Sequence, residues 1–251
     1  MRRQIGCSIT WLVLSLLLAG CTSQLPVRRA GWHYEHSVAS LLTAAASDFH
    51  GLKEVRAEAR VTYTQSGQRE RGTAGLLYLP PDLFRVEVFG GPFSSPVLTA
   101  LLEGDSLTVM SGDQQWKDSG GARALTGLVE LDLGDYDPAF ALLGMIEPLP
   151  EAAPVSTSHP RADILVVTIV EADRSRRIWL DRHRGFVTRE ELLLPGRERL
   201  VRELADYRLV AGAYLPHRVQ ISQGAASLLL VYRGFKVNLG LAADKLKRGM
   251  P

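Results

Sequence analysis

Cysteine is nearly missing from this chain of 251 residues, which has only Cys7 and Cys21. Two thiols cannot build a disulfide scaffold, a cysteine-ligated zinc site or an iron–sulfur cluster. An excess of one charge is missing as well. Lys and Arg number 29 against 27 Asp and Glu, so the basic surplus of a nucleic-acid binder is lacking. Catalytic motifs are absent too: there is no Gly-x-Ser-x-Gly elbow, no His-Glu-x-x-His and no glycine-rich phosphate loop. The histidines are scattered as His33, His36, His50, His159, His183 and His217. Only His33 and His36 are close together, and they read as solvated polar residues. Asp181 and His183 look like a catalytic pair only until their neighbours are read, since Asp-Arg-His-Arg-Gly between two strands is turn chemistry. The expectation is a protein that is not an enzyme, with no metal site and no cofactor.

What is present starts at the N-terminus. Met1-Arg2-Arg3 is a short positive segment, and Ile9 to Leu18 is an apolar run too short for a mature bilayer span of about 20 residues. Leu18-Ala19-Gly20-Cys21 follows and resembles the bacterial lipobox. That resemblance implies cleavage after Gly20 and acylation of Cys21, and it places a signal peptide at 1–20. Three acyl chains, at about 0.8 kcal/mol per buried CH₂, hold a protein on a membrane almost irreversibly. Thr22 stands where an inner-membrane retention signal has Asp, which implies the periplasmic side of the outer membrane. Cleavage removes Arg2, Arg3 and Cys7, leaving 231 residues with 27 basic and 27 acidic side chains. With Cys21 lipidated, no free thiol remains for catalysis or cross-linking.

Behind the anchor, residues 21–34 read as a polar tether containing Pro26, Arg28 and Arg29. Val38, Leu41, Leu42, Ala45 and Phe49 recur on one helical stripe, predicting a helix over 35–49 that stops at Gly51. From Leu52 the period becomes two: Val55, Ala57, Ala59, Val61 and Tyr63 alternate with charged or polar residues, as in a half-buried strand. Further strands are expected through 76–79, 84–88, 97–102 and 107–110, with another around 114–117. Leu125, Leu128 and Val129 sit at helical spacing. Asp137-Pro138 is a helix start, an N-cap acid before Pro, leading into an apolar segment through Ile146 that should be covered by other protein. A loose Pro-rich link over 148–160 comes next, then strands at 164–170, 176–180, 186–194, 199–209, 215–221 and 228–237. About ten or eleven strands and three helices give a mainly β (α+β) fold. Over 35–240 it is an antiparallel meander long enough to curl rather than stay flat. Residues 241–251 form a C-terminal tail whose order the sequence leaves open, with Lys245, Lys247 and Arg248 most simply a solvated end.

Three local features bear on function. Phe89-Gly90-Gly91-Pro92-Phe93-Ser94-Ser95-Pro96 is a turn-rich loop with a large aromatic at its centre, so Phe93 either folds back into the core or projects outward as a contact probe. Burying one Phe is worth about 1.5–3 kcal/mol, enough for a reversible contact but not an anchor. Arg174, Arg176, Arg177, Arg182 and Arg184 read as a local basic patch, facing anionic lipid or an acidic partner, or else as a solvated hairpin. Glu190 and Glu191 are adjacent on a strand and point to opposite faces, so they cannot act as a carboxylate pair. Phe84, Val86 and Val88, with Leu142, Met145, Leu228 and Leu230, are the candidate lining of the concave face, whether as cavity wall or as close-packed core.

Taken in order, helix, strand meander, helical insertion and second meander resemble the LolA/LolB superfamily, and within it the outer-membrane LolB type. The resemblance is carried locally by Phe84-Arg85-Val86-Glu87-Val88-Phe89-Gly90-Gly91-Pro92-Phe93-Ser94-Ser95, by Asp137-Pro138 through Ile146, and by Ile178-Trp179-Leu180-Asp181 into Val187-Thr188-Arg189-Glu190. Pro92-Phe93 falls where that family has a protruding Pro-Leu pair, which implies a membrane-contact role for the loop. Phe replaces the tip Leu, and Ser94 and Ser95 follow instead of Gly. The resemblance implies that the meander over 35–240 closes to a curved antiparallel half-barrel with helices lidding its concave face. It implies a monomer that binds lipoprotein acyl chains in an apolar cavity. It also implies exchange with a periplasmic LolA-like carrier and insertion of lipoproteins into the outer membrane. An alternative is a structural or regulatory envelope lipoprotein using the same fold to bind a protein.

Overall fold

The computed structural model describes residues 27–33, 37–90, 95–120, 131–134, 136–148, 155–171 and 174–247. Cys21, Pro92, Phe93 and the helix expected around Leu125 lie outside them. Among the described residues no helix is long and apolar enough to cross a membrane.

α1 (Val38–His50) opens the fold, with Ser37 as its N-cap accepting from the Ser40 N–H at 3.2 Å. Six strands follow as a meander: β1 (Val55–Gln65), β2 (Gln68–Leu79), β3 (Leu83–Phe89), β4 (Leu98–Glu103), β5 (Ser106–Ser111) and β6 (Gln114–Asp118). After the short α2 (Pro138–Leu143), a second meander runs through β7 (Val155–Arg161), β8 (Ile164–Val170), β9 (Ser175–Asp181), β10 (Phe186–Leu193), β11 (Leu200–Val210), β12 (Ala213–Gln223) and β13 (Ala226–Val237). α3 (Ala243–Lys247) ends the described chain. All thirteen strands form one antiparallel sheet in the order β6-β5-β4-β3-β2-β1-β13-β12-β11-β10-β9-β8-β7. Within each meander every strand pairs with its sequence neighbours, and β1 and β13 join the two meanders with Val55 facing Val237 and Gln65 facing Ala226. β6 and β7 are left as edges, so the sheet is an open half-barrel, as the resemblance implies.

The period-two alternation decides which face is buried. Val55, Ala57 and Ala59 of β1, Ala74, Leu76 and Tyr78 of β2, and Leu228, Leu230 and Tyr232 of β13 turn to the concave side. There they pack against Leu42 and Ala45 of α1 and against Ala139, Ala141 and Leu143 of α2 in one continuous cluster. Arg56, Glu58 and Arg60 alternate to the convex side.

The structure corrects three expectations. The described residues form thirteen strands rather than ten or eleven, and the one with no expected counterpart, β7, occupies part of the expected Pro-rich link. All seven of its residues are exposed, so it has no buried face to imprint an alternation. It holds only to β8, with a register shift around His159 and Pro160, where an edge strand tolerates proline. Second, the end of the expected tether belongs to the fold: Trp32 is buried, and Val27–His33 lies against the β9–β10 turn. Third, the tail is not simply solvated. Leu241 and Leu246 form a second cluster with Leu83 and Leu101 on the convex face. Arg85 Nη1 donates to the Leu246 carbonyl at 2.6 Å, and the Lys247 ammonium pairs with Glu103.

This convex cluster yields a prediction. Leu246 is fully buried, so Leu246→Ala should destabilise the protein by about 2–3 kcal/mol in urea melts, the cost of a core truncation. Lys247→Ala, which removes an exposed ion pair, should cost less than about 1 kcal/mol.

Candidate functional site

The concave face beneath α2 is the candidate site. α2 is placed by its ends. Asp137 caps it, its carboxylate accepting the Ala139 N–H at 2.7 Å, and Pro138 takes the first helical position. Burial raises the Asp137 carboxyl above its usual range. Gly144 closes the helix at φ +74°, where a Cβ would overlap Pro216 of β12, so both the left-handed turn and the close approach require glycine. Pro138, Ala139, Ala141 and Leu143 are buried against the sheet.

The carbonyls of the last turn of a helix have no partner within it. Here the Phe140 carbonyl accepts the Met145 N–H at 3.0 Å, and the sheet supplies further donors to this end of the helix. Arg202 of β11 donates from Nη1 to the Phe140 carbonyl at 2.6 Å and from Nη2 to the Met145 carbonyl at 2.7 Å. The Tyr232 hydroxyl of β13 donates to the Leu142 carbonyl at 2.6 Å. Burial pushes the Tyr232 hydroxyl far above its ordinary range, so it stays a donor.

Arg202 is itself held by a buried charge cluster. Its Nη2 lies 2.5 Å from Glu190 Oε2. Arg176 of β9 donates to Glu190 Oε1 from Nε at 3.0 Å and Nη2 at 2.8 Å, and the Tyr136 hydroxyl reaches Oε2 at 3.1 Å. Arg176, Glu190 and Arg202 are at most 3% exposed. Burial alone would raise the Glu190 carboxyl, but Arg202 and Arg176 overcome that and hold it below its ordinary value. Glu147, just beyond α2, is raised by burial against the opposing pull of Arg176 and Arg174. It lies 3.5 Å from Arg176 and 3.1 Å from Arg174. The Arg202 plane sits 5.0 Å from the Tyr136 ring centroid, and its Nε is buried with no hydrogen-bond partner.

Among the expected lining residues, Phe84, Met145, Leu228 and Leu230 are buried in the concave cluster, and Val86 and Leu142 pack against it from partly exposed positions. Val88 is half-buried near the end of β3, opposite Ala74 and Leu98. The space enclosed by Tyr136, Ala141, Glu190, Leu192, Leu200, Arg202 and Ile221 is about 10 Å³, room for one water at most. A larger open groove of about 430 Å³ lies over β13, β1 and β2, between Arg56, Glu58, Leu77, Arg233 and Lys236. Among the described residues no group of His, Cys, Asp and Glu could hold a metal ion.

The five arginines do not make one patch. Arg176 is buried and Arg174 binds Glu147 and Glu171, while Arg177 turns outward to Glu191. Arg182 and Arg184 stand at the far end of β9, in the turn. Glu190 and Glu191 do face opposite ways, Glu190 inward and Glu191 outward to Arg189 at 2.8 Å and Arg199 at 3.3 Å. The inward cluster was missed, yet it has a signal. Arg176 is in phase with Ile178 and Leu180, and Arg202 with Leu200 and Leu204. A charge at an apolar phase on two strands, with a glutamate on the strand between, marks a buried network.

No family model matches the chain, and no curated protein does. Solved structures do resemble it. A LolA superfamily protein from Nitrosomonas europaea superposes with a TM-score of 0.60 at 12% identity, covering 84% of this chain and 97% of that one. A DUF1329 family protein from Desulfovibrio piger gives 0.62 at 8% identity, over 84% of this chain and 95% of that one. A Vibrio parahaemolyticus domain assigned as an outer membrane lipoprotein-sorting protein gives 0.59 at 11% identity, over 83% and 95%. What this chain shares with these three is the fold, and nothing in them singles out the LolB type.

The charge cluster sets two expectations. Arg202→Met removes one of the two guanidinium partners of Glu190 and the tie from β11 to the Phe140 and Met145 carbonyls, so stability should fall by about 3–5 kcal/mol in urea melts. Glu190 has a lowered carboxyl in the folded state. Its contribution is therefore complete above the unfolded value of about 4.3 and disappears as pH falls through the folded one. Between pH 5 and pH 3 the parent protein should lose more stability than Glu190→Gln does; equal losses would remove Glu190 from this role.

Proposed function

We propose that this protein is an outer-membrane-anchored lipoprotein whose half-barrel binds the acyl chains of lipids or lipoproteins on its concave face. In the fuller form of this reading it receives lipoproteins from a LolA-like carrier and helps insert them into the outer membrane. The observation that carries the reading is the build of the concave face: an apolar sheet, open between β6 and β7, covered by a six-residue helix whose last-turn carbonyls are held by polar side chains of the sheet. Removing an acyl chain from water requires apolar surface and no covalent chemistry, each CH₂ being worth about 0.8 kcal/mol. Displacing α2 exposes such surface at Ala141, Leu143, Leu200 and Ile221, while its polar ties give it a defined closed position. The lipobox supports the anchor, and the fold likeness supports the class.

The packing of the concave face favours a second reading, a protein-interaction module with a filled core. One experiment separates the two. Acylated protein purified in mild detergent is analysed by native mass spectrometry and labelled with a photoactivatable palmitate. Acyl binding predicts a lipid adduct beyond the covalent anchor and cross-links at Phe84, Leu142 and Met145. A bare protein without cross-links, accompanied by a co-purifying protein partner, establishes the second reading. For insertion, a clean deletion should strand outer-membrane lipoproteins in the periplasm, and normal sorting would exclude that activity.

A further inference from the structure

The segment entering the domain is strapped to one end of the sheet. The Arg29 N–H donates to the Arg184 carbonyl and its Nε to the Gly185 carbonyl, both at 3.0 Å. The Arg29 guanidinium grips both oxygens of Asp48 on α1, at 2.9 and 2.5 Å, and lies 5.2 Å from the ring centroids of Phe186 and Tyr214. The Ala30 N–H donates to the Tyr214 hydroxyl at 3.0 Å. The Trp32 indole N–H donates to the Arg182 carbonyl at 2.7 Å, and its ring covers Gly185, where a Cβ would come within 2.6 Å. That turn therefore needs both glycine's φ of +75° and its lack of a side chain.

The topology says which end this is. The β9–β10 turn stands at the rim where β1 starts, β13 finishes and β11 turns into β12. The β3–β4 connection, which leaves the sheet at Gly90 and returns at Ser95, stands at the other rim, with the β1–β2 and β12–β13 turns. Strands of eleven or twelve residues such as β1 and β2 run about 37 Å from rim to rim. From Cys21 to Val27 is six residues, at most about 20 Å of extended chain.

Among the described residues, the rim around the strap has a basic excess, with Arg28, Arg29, Arg161, Arg182 and Arg184 against Asp48, Asp163 and Asp181. Asp48 is taken by Arg29, Asp163 by Arg161, and the Asp181 carboxylate accepts the His183 and Arg184 N–H groups. Arg28 donates to the Trp32 carbonyl, and Arg184 to the Val27 carbonyl while lying over Phe186. These partners are neutral and leave both charges in place, with the Arg182 backbone in the same turn.

We infer that the β9–β10 rim is the face turned to the anchoring membrane, with Arg28 and Arg184 set against anionic phospholipid headgroups. The inference rests on the anchored reading above and names the surface through which it acts. The tether is shorter than the domain, so the β3–β4 rim faces away from the bilayer that holds Cys21. A contact made from that rim is with cargo, carrier or another partner.

The test uses the full acylated protein in vesicles of phosphatidylethanolamine and phosphatidylglycerol. An environment-sensitive fluorophore is placed at His183→Cys on one rim or Gln68→Cys on the other, and headgroup-depth spin-labelled lipids act as quencher. Quenching at 183 should exceed that at 68 by about three-fold, and should fall in pure phosphatidylcholine or on raising salt to about 0.5 M, as headgroup electrostatics require. Arg28→Glu with Arg184→Glu should give the same fall, judged against an unchanged melting temperature; the salt series makes the same test without substitution. Equal quenching at both rims, stronger quenching at 68, or indifference to lipid charge and salt overturns the inference while leaving the anchor intact. Protein that is not acylated and does not float with vesicles overturns the anchored reading and this inference together.

Discussion

The concave side of this protein depends on one carboxylate. Glu190 sits between Arg176 and Arg202 in the middle of an apolar sheet, and Arg202 carries that charge pairing over to the backbone of α2. A buried ion pair contributes little net stability against a hydrophobic substitute, but breaking one side of it is costly. Its value here is positional. Six residues of helix are too few to hold a place by propensity, and the guanidinium and a tyrosine hydroxyl supply the directional bonds that apolar packing lacks. The lid is defined by polar contacts over an otherwise non-directional surface.

The same division runs through the molecule. On the convex side, Arg85 reaches the backbone of α3 while leucines supply the buried area. At the entry to the domain, Arg29 and the Trp32 indole fix a seven-residue segment by hydrogen bonds to a turn. In each case a short element with little core of its own is located by a polar side chain bonding to backbone carbonyls.

Legibility followed burial. Strands with one buried face announced themselves by alternation, as in β1, where Val55, Ala57 and Ala59 go in and Arg56, Glu58 and Arg60 go out. α2 was readable from Asp137-Pro138 because capping is local chemistry. β7 was not, because an edge strand exposed on both faces writes no period into Ser-Thr-Ser-His. The strap and the C-terminal helix were missed for a different reason: their partners lie some 150 residues away in the chain, and nothing local marks Trp32 or Leu246 as buried. The candidate lining residues were legible as apolar positions of the right phase. Whether they line or fill a space depends on how far α2 presses onto the sheet, which is a matter of tertiary distance.

The pairing order has a consequence for how the chain reaches this state. Successive hairpins can form as the chain emerges, but β1 keeps one edge unpaired until β13 arrives, and the two are more than 150 residues apart. A protein delivered N-terminus first would thus present a finished six-stranded half with a bare central edge for most of its delivery. Arg56, Glu58 and Arg60 on β1 put alternating charge along that strand, the kind of guard that keeps a waiting edge from pairing with a stranger.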